Sequence, residues 1–279
     1  MARRRASALL LAALPAGLAL ALSSLGAASP SGAPGSFKGV NFISVCGFSH
    51  RATDDPIKYP GQPGVSHDHS FVGNTSTNAS STLASLHKAG TTCQRRADTA
   101  AYWMPTLFLG GRAVPPAEAT IYYQRDAFKK LRPFPQGLKM IAGNYQARRP
   151  QSLLVTSWDC GDLVDVARSS NAPTCPPGTS LRLRVNFPDC WNGKSLDSPS
   201  HFSHMAYSIG GRCPRRHPVA VPALSIVYRY PIAGGPGVTL ASGGELSAHA
   251  DFENAWNQRT LAALVSKCLN RLRHCGTGS

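Results

Sequence analysis

The stretch that decides the fold class is ALSIVYRY, residues Ala223–Tyr230. Its large apolar and aromatic side chains occupy every second position from Leu224, while Ser225 and Arg229 fall between them. Successive side chains of a β-strand point to opposite faces, so this alternation indicates a strand with one buried face. Only Val227 departs from the pattern, because it is apolar on the polar face.

Similar short runs, bounded by glycine and proline, recur on both sides of this stretch and indicate further strands. Such strands outnumber the helical segments and do not alternate with them, which argues against a fold of βαβ units. We therefore expect a mostly β protein, an antiparallel β-sandwich or jelly roll. The other expected strands are Tyr102–Leu109, Thr120–Gln124, Leu138–Ala142, Ser152–Trp158 and Leu181–Phe187.

Helical periodicity is clear only near the C-terminus, where an apolar stripe extends from Trp256 to Leu272 opposite polar residues. This pattern predicts a C-terminal amphipathic helix, with Asp251 as a candidate N-terminal cap. A shorter helix is expected within Ser80–Ala89.

The chain begins MARRR, and an apolar run from Ala8 to Leu22 follows these three arginines. Basic residues, a short apolar run and small residues at Gly26 and Ala28 are typical of a cleavable signal peptide. The run is shorter than the roughly 20 residues that span a bilayer, which argues against an uncleaved anchor. We expect cleavage after Ala28 and a secreted, extracellular protein without a membrane span.

The expected organisation after the signal peptide (1–28) is a flexible leader, a single domain and a short tail. Residues 29–36 read SPSGAPGS, a composition that buries too little apolar surface to fold. Residues 37–275 are long enough for one secreted β-rich domain with a large core. Residues 276–279 form the tail.

All eight cysteines lie after the expected cleavage site, and none forms a CxxC pair. An even number in an exported chain favours structural disulfide staples over a zinc ribbon or a redox motif. The sequence cannot choose among the pairings that eight cysteines allow. We expect sequential bridges: Cys46–Cys93, Cys160–Cys175, Cys190–Cys213 and Cys268–Cys275.

The formal net charge is +15 at pH 7, of which three arginines belong to the signal peptide. Such a charge attracts polyanions, including acidic cell-envelope polymers, acidic polysaccharides and nucleic acid, without specifying any chemistry. A solvated basic surface with no dedicated partner is an equal alternative.

Histidines and aspartates concentrate in three stretches among Gly, Pro and Asn, beginning at Ser66, Phe187 and His249. His67 and His69 are two residues apart, so in extended backbone both rings leave the same face and could contact one divalent metal ion. A structural, hydrogen-bonding pair is the alternative. A third ligand must come from elsewhere, and of His204, His201 and His249 we take His204.

The second stretch places carboxylates beside an aromatic side chain. Asp189 and Asp197 flank Trp191, an arrangement suited to sugar recognition or to acid/base chemistry on a glycosidic bond. The alternative is that both aspartates cap turns. The candidate catalytic residues are His67, His69, Asp189, Asp197, His204, His249 and Asp251, and the candidate substrate-binding residues are Trp103, Trp191, His201 and Tyr207.

The chain contains no GxSxG, HExxH, P-loop or GxGxxG after a strand, so the usual hydrolase, zincin and nucleotide-binding signatures are absent. Six other motifs occur in order over roughly Gly39 to Trp256. They are HDHSFVGN, YWMPTL, RPFPQGLKMIAGN, FPDCWNGKSLDSPSHFSHMAY, CPRRHPVAVP and HADFENAW. With these motifs the chain resembles a family of secreted bacterial and fungal domains of unknown function, in fungi often fused to WSC carbohydrate-associated modules.

This resemblance implies an extracellular location but no activity. It also implies one shared polar site, although a fold-stabilising network would recur in the same way. The set comprises His67, His69, Asp189, Trp191, Asp197, His201, His204, His217, His249 and Asp251.

Three functions remain open from the sequence. The first is an enzyme, a hydrolase or lyase, acting on cell-wall or environmental polysaccharide through a His/Asp/Trp site. The second is a non-catalytic wall-binding or matrix protein in which the same residues form a structural polar network. The third and least favoured is a secreted nuclease, because nucleic acid is not expected as a specific partner.

Overall fold

A computed structural model describes residues 37–161 and 166–277. The expected signal peptide and leader lie outside these residues. The described part contains seventeen strands and two α-helices. In chain order they are β1 (Asn41–Cys46), β2 (Phe48–Ala52), β3 (His69–Gly73), α1 (Leu83–Lys88), β4 (Ala101–Pro105), β5 (Leu107–Leu109), β6 (Arg112–Val114), β7 (Glu118–Gln124), β8 (Lys139–Gly143), β9 (Thr156–Asp159), β10 (Arg182–Asn186), β11 (Cys190–Trp191), β12 (Met205–Ala206), β13 (Val219–Ala220), β14 (Ala223–Arg229), β15 (Val238–Leu240), β16 (Gly243–Gly244), β17 (His249–Glu253) and α2 (Gln258–Leu264).

Two five-stranded antiparallel sheets contribute to one hydrophobic core, as a β-sandwich requires. The first sheet has the order β1-β7-β14-β10-β9, and the second has the order β2-β3-β4-β17-β8. Phe42 and Ile226 of the first sheet and Tyr102 and Phe252 of the second lie in this core. The expected fold class is therefore confirmed. Two smaller sheets, β16-β15-β5-β6 and β12-β11-β13, complete the described strands.

The second sheet also has an apolar outer face, and this face positions the candidate site. Phe71, Trp103 and Ile141 lie there in a second, smaller core with Ile57. On β17, alternation sends Phe252 to the main core and Asp251 to the outer face, where Asp251 pairs in register with Trp103 and Ile141. The outer face thus combines a small apolar core with buried polar side chains.

The expected strands are present with shifted bounds. The stretch Ala223–Tyr230 forms the central strand β14, whose Val227 is buried like its neighbours because β14 is buried along most of its length. The run Tyr102–Leu109 divides into β4 and β5. The expected strand Ser152–Trp158 begins only at Thr156, since the preceding residues form a turn.

The helices are shorter than the sequence pattern predicts. Asp251 does not cap the C-terminal helix, because it lies in β17. The cap is instead Asn257, whose side chain accepts the N–H of Thr260. Helix α2 continues as a π-helical turn over Val265–Leu269, and its apolar stripe is buried as expected. The other helix, expected within Ser80–Ala89, begins after Thr82, which forms a capping box with Ser85.

All four expected disulfides are present: Cys46–Cys93, Cys160–Cys175, Cys190–Cys213 and Cys268–Cys275. Packing continues to the first residue of the expected tail, because the carbonyl of Gly276 accepts the N–H of Ile43. None of the helices in the described part of the chain is long and apolar enough to cross a membrane.

Candidate functional site

The site lies where the segment between β2 and β3 covers the outer face of the second sheet. His67 ends this segment and His69 begins β3, and their ring centroids are 4.2 Å apart. Asp68 points away, where it pairs with Arg51 and accepts a hydrogen bond from Thr106. The HxH stretch therefore presents both imidazoles on one side, as the extended spacing predicts.

The third imidazole belongs to His249, at the start of β17. Its ring centroid lies 5.1 Å from that of His67 and 6.0 Å from that of His69. One nitrogen of each ring lies within 4.8 Å of the others, compared with about 3.4 Å for tetrahedral ligands at zinc–nitrogen distances. Small ring movements would therefore bring three nitrogens onto one metal ion.

Backbone carbonyls orient two of these rings. The Nδ1 atom of His69 lies 3.0 Å from the carbonyl oxygen of Asp54, and the Nδ1 atom of His249 lies 3.0 Å from that of Ser247. A carbonyl can only accept, so Nδ1 carries the proton and Nε2 has a free lone pair. This is how proteins fix the tautomer of metal-binding histidines. The Nε2 atoms of His67 and His69 are buried without a hydrogen-bond partner among the described residues.

Two aspartates adjoin the imidazoles. Asp251 is 1% exposed, and neither of its carboxyl oxygens has a hydrogen-bond partner in the described chain. Asp55 is also buried, and its Oδ1 accepts the backbone N–H groups of Ile57 and Lys58. A carboxyl oxygen of each aspartate lies within 4.8 Å of a nitrogen of His69. We call His67, His69, His249, Asp55 and Asp251 the histidine site.

Burial controls the protonation of the histidine site. It lowers the pKa of His67 to about 4 and that of His249 to about 3. Burial, together with the two neighbouring imidazoles, also lowers the pKa of His69. Burial raises the pKa of Asp251 and of Asp55. The three imidazoles are therefore neutral at pH 7, which is the form that binds a metal ion.

A small cavity adjoins the histidine site, and we call its side lined by the half-buried Lys58 and Tyr145 the mouth. Lys58 and Tyr145 stand there, with the ammonium group 5.5 Å from the ring centroid, and Tyr145 lies 6.0 Å from the ring of His249. The cavity behind them measures about 20 Å³, space for a single water molecule or ion. A sugar ring therefore cannot enter the site itself.

His204, which we expected as the third metal ligand, does not join the other two imidazoles. Its Nδ1 is 3.1 Å from the hydroxyl of Ser198 and its Nε2 is 2.7 Å from the carbonyl oxygen of Lys139. Both ring nitrogens are thus used within the fold. The sequence could not distinguish His204 from His249 as the third ligand, because it does not show which distant segments become neighbours.

Asp197 and His201 form a second polar group, with the Nδ1 of His201 3.0 Å from a carboxyl oxygen of Asp197. Asp189 is apart from both groups. It is buried and accepts the N–H of Ser208, a partner too far along the chain for the local turn cap that was the alternative. His217 contacts the carbonyl of Ser203.

The aromatic residues that we expected to bind substrate also lie in separate places. Trp103 is fully buried in the second core and offers no face to a ligand. Trp191 packs against the main core while its indole N–H donates to Ser195. Tyr207 remains exposed, as does Phe202, which no sequence pattern singled out.

Three residues of the site were missed from the sequence: Asp55, Lys58 and Tyr145. Asp55 stands in the stretch TDDPIKYP, where paired aspartates before a proline offered a signal. Tyr145 follows β8 without any pattern that would single it out.

The comparisons with known proteins identify a family but no activity. A family model described as "Domain of unknown function (DUF1996)" matches residues 55–256. Every residue of the histidine site lies within this range. No curated protein and no solved structure matches the chain.

Proposed function

This chain belongs to the DUF1996 family, and because that family carries no stated activity, we propose a function from the site: a secreted, metal-assisted enzyme acting on polysaccharide. The observation that carries the proposal is the set of three neutral imidazoles from two distant segments, two of them tethered through Nδ1 to backbone carbonyls. A merely structural polar network would pair the Nε2 atoms of His67 and His69, which have no hydrogen-bond partner within residues 37–161 and 166–277.

The ligand set favours a transition metal, because imidazole nitrogen suits zinc, copper, iron and nickel better than calcium or magnesium. A bound metal supplies a Lewis acid or an activated water molecule. His67, His69 and His249 would hold the ion. The carboxyl group of Asp251, which has no hydrogen-bond partner among the described residues and lies 3.9 Å from Nε2 of His249, would complete the coordination or accept a proton. Lys58 and Tyr145 at the mouth contact whatever approaches from solvent.

Secretion and a polysaccharide substrate are supported by features outside the site. Four disulfides, and the signal-peptide pattern, suit an extracellular protein. Tyr145 also lines a wide surface depression with Arg148 and Glu245, so a long polymer can lie across the mouth. The basic surface attracts acidic polymers in addition.

The test uses untagged protein purified without chelator. Wild type, metal-free wild type and His67→Ala are incubated with neutral and acidic polysaccharides, and new chain ends are measured. We expect cleavage by the metal-loaded wild type, loss on chelation, recovery on adding the metal found in the native protein, and no recovery in His67→Ala. Equal cleavage by chelated protein, or no stoichiometric metal in native protein, contradicts the proposal.

A wall-binding protein with a structural metal is the second candidate, favoured by the depth of the ligands: His69 is 0% exposed. Under this alternative His67→Ala weakens adsorption to polysaccharide and thermal stability, and no turnover is found in any variant. The nuclease alternative predicts cleavage of DNA. Salt-sensitive DNA binding without cleavage would mean that the basic surface attracts DNA only as a polyanion, and would contradict the nuclease alternative.

A further inference from the structure

A second cavity lies beside the histidine site, on the other side of strand β8. It has a volume of about 280 Å³, close to the lower limit of small-molecule pockets. Ile141 lines both spaces, and Gly143, which lines the larger one, pairs in register with His249. We call this space the side cavity.

The side cavity has an uncharged lining in a strongly basic chain. No Lys, Arg, Asp or Glu is among its lining residues, and His201 is its one titratable imidazole. By contrast, Lys58 stands at the mouth of the histidine site and Arg148 lines the wide depression. A carboxylate or sulfate in the side cavity would therefore lose its water without gaining an opposite charge.

Exposed aromatic side chains form one wall of the side cavity. Phe202 is 40% exposed and Tyr207 is 41% exposed, although large apolar side chains are usually buried. The hydroxyl of Tyr207 donates to the carbonyl of Asn186 at 2.8 Å, which fixes the ring. Such rings offer an apolar face to the C–H groups of a sugar.

Polar groups converge on the same space. Lys139 directs its N–H outward from the second sheet, to the carbonyl of Leu196. Alternate residues of a strand share this direction, so Ile141 and Gly143 direct their N–H and C=O groups toward the side cavity. No other described strand pairs with this side of Ile141 and Gly143, because β8 is the terminal strand of the second sheet.

His201 adds an oriented side chain. Its backbone has φ of 61°, a conformation uncommon for residues other than glycine, and such strain tends to occur at functional sites. Its Nδ1 is held by Asp197, which leaves Nε2 for a hydrogen bond to a ligand beside the aromatic wall. The lining thus combines aromatic faces, neutral donors and acceptors, and no fixed charge.

We infer that the side cavity binds one uncharged sugar ring of a neutral polysaccharide, with Phe202 and Tyr207 against the ring and His201 and the β8 edge hydrogen-bonded to its hydroxyls. This inference rests on the proposed function and names its substrate class. The overall positive charge does not select the substrate, because none of that charge lies in the side cavity.

Binding is measured by titration calorimetry with neutral hexasaccharides of glucose, mannose, xylose and N-acetylglucosamine, and with hexasaccharides of galacturonic acid. Wild type is compared with Phe202→Ala, His201→Asn and Phe128→Ala. Asn tolerates positive φ, so His201→Asn removes the imidazole while keeping the backbone. Phe128 is the matched control, since it is 46% exposed and lies outside the side cavity.

We expect saturable binding of at least one neutral series, about tenfold weaker in Phe202→Ala and His201→Asn, as for loss of an anchor contact, and unchanged in Phe128→Ala. No neutral binding, preference for galacturonic acid, or equal loss in Phe128→Ala overturns the inference. Every titration is run with metal-loaded and metal-free protein. Neutral binding without metal or turnover supports the inference while contradicting the proposed enzyme. Metal-dependent cleavage of acidic polymer, without binding of any neutral series, supports the proposed enzyme and contradicts the inference.

Discussion

The imidazole rings of His67 and His249 lie with their centroids 5.1 Å apart, although one follows a loop near the start of the domain and the other begins its last strand. Strand β3 carries the HxH stretch to one side of β4, and β17 lies on the other side. The antiparallel order of the second sheet therefore assembles a three-histidine group that no local motif contains.

The first prediction concerns metal content. His249→Ala should purify with less than stoichiometric metal, because one of the three convergent nitrogens is lost. His204→Ala should keep wild-type metal, since both nitrogens of His204 are engaged elsewhere. Elemental analysis of both untagged proteins, purified side by side, tests this. Loss of metal in His204→Ala with retention in His249→Ala would reverse the assignment.

A second prediction concerns Gly143, which has φ of 85° beside His249. A Cβ added there would lie 2.5 Å from the carbonyl oxygen of Ala248 and 2.8 Å from the Cα of His249. Gly178 is a matched control, because it has φ of 80° and nothing within 4 Å of an added Cβ. Both alanine variants share the cost of positive φ.

Gly143→Ala should therefore lose roughly 2 kcal/mol more free energy of unfolding than Gly178→Ala, as for overpacking against backbone. It should also bind metal more weakly, because the displaced strand carries His249. Urea unfolding and metal titration measure the two effects. Equal stability losses in the two variants would show that the clash relaxes without consequence.

A third prediction concerns pH and Asp98. This buried carboxyl accepts hydrogen bonds from Tyr102, and burial raises its pKa from 3.8 to about 7. The stability that the neutral carboxyl contributes is fully present below pH 3.8 and is lost as the pH rises through about 7.

Asp98→Asn should remove this pH-dependent loss of unfolding free energy, which is on the order of 4 kcal/mol between pH 3.8 and about 7. The stability difference between wild type and variant should therefore change steadily in favour of the variant from pH 4 to pH 7. Unfolding curves in guanidinium at several pH values give this difference. Parallel pH profiles for the two proteins would mean that Asp98 is ionised throughout.

The fourth prediction compares two disulfides. Cys190–Cys213 closes a separation of 23 residues and Cys268–Cys275 one of 7 residues. Loop entropy predicts losses of about 3 and about 2 kcal/mol on replacing each pair by alanine. Only the first replacement should also weaken neutral-sugar binding, because the loop it closes carries His201 and Phe202. If both replacements had the same effect on sugar binding, the side cavity would not depend on that loop.

The sequence alone was sufficient for the fold class and part of the site. Alternation in Ala223–Tyr230 identified the central strand, because a half-buried strand has a period of two that no tertiary contact needs to supply. The HxH spacing placed His67 and His69 on one side for the same local reason. The bridges could only be guessed from the sequence, and the structure confirmed the sequential pairing.

Only the tertiary structure decided the rest. The third imidazole comes from His249 and not from His204, and Trp103 is buried. Asp55 and Tyr145 lie at the histidine site. Each of these outcomes depends on which strands neighbour one another across the second sheet. The tertiary structure also made Asp251 a strand residue, since pairing with β4 and β8 outweighed its capping preference. Local patterns are set by the geometry of one segment, whereas a site is set by contacts between segments far apart in the chain.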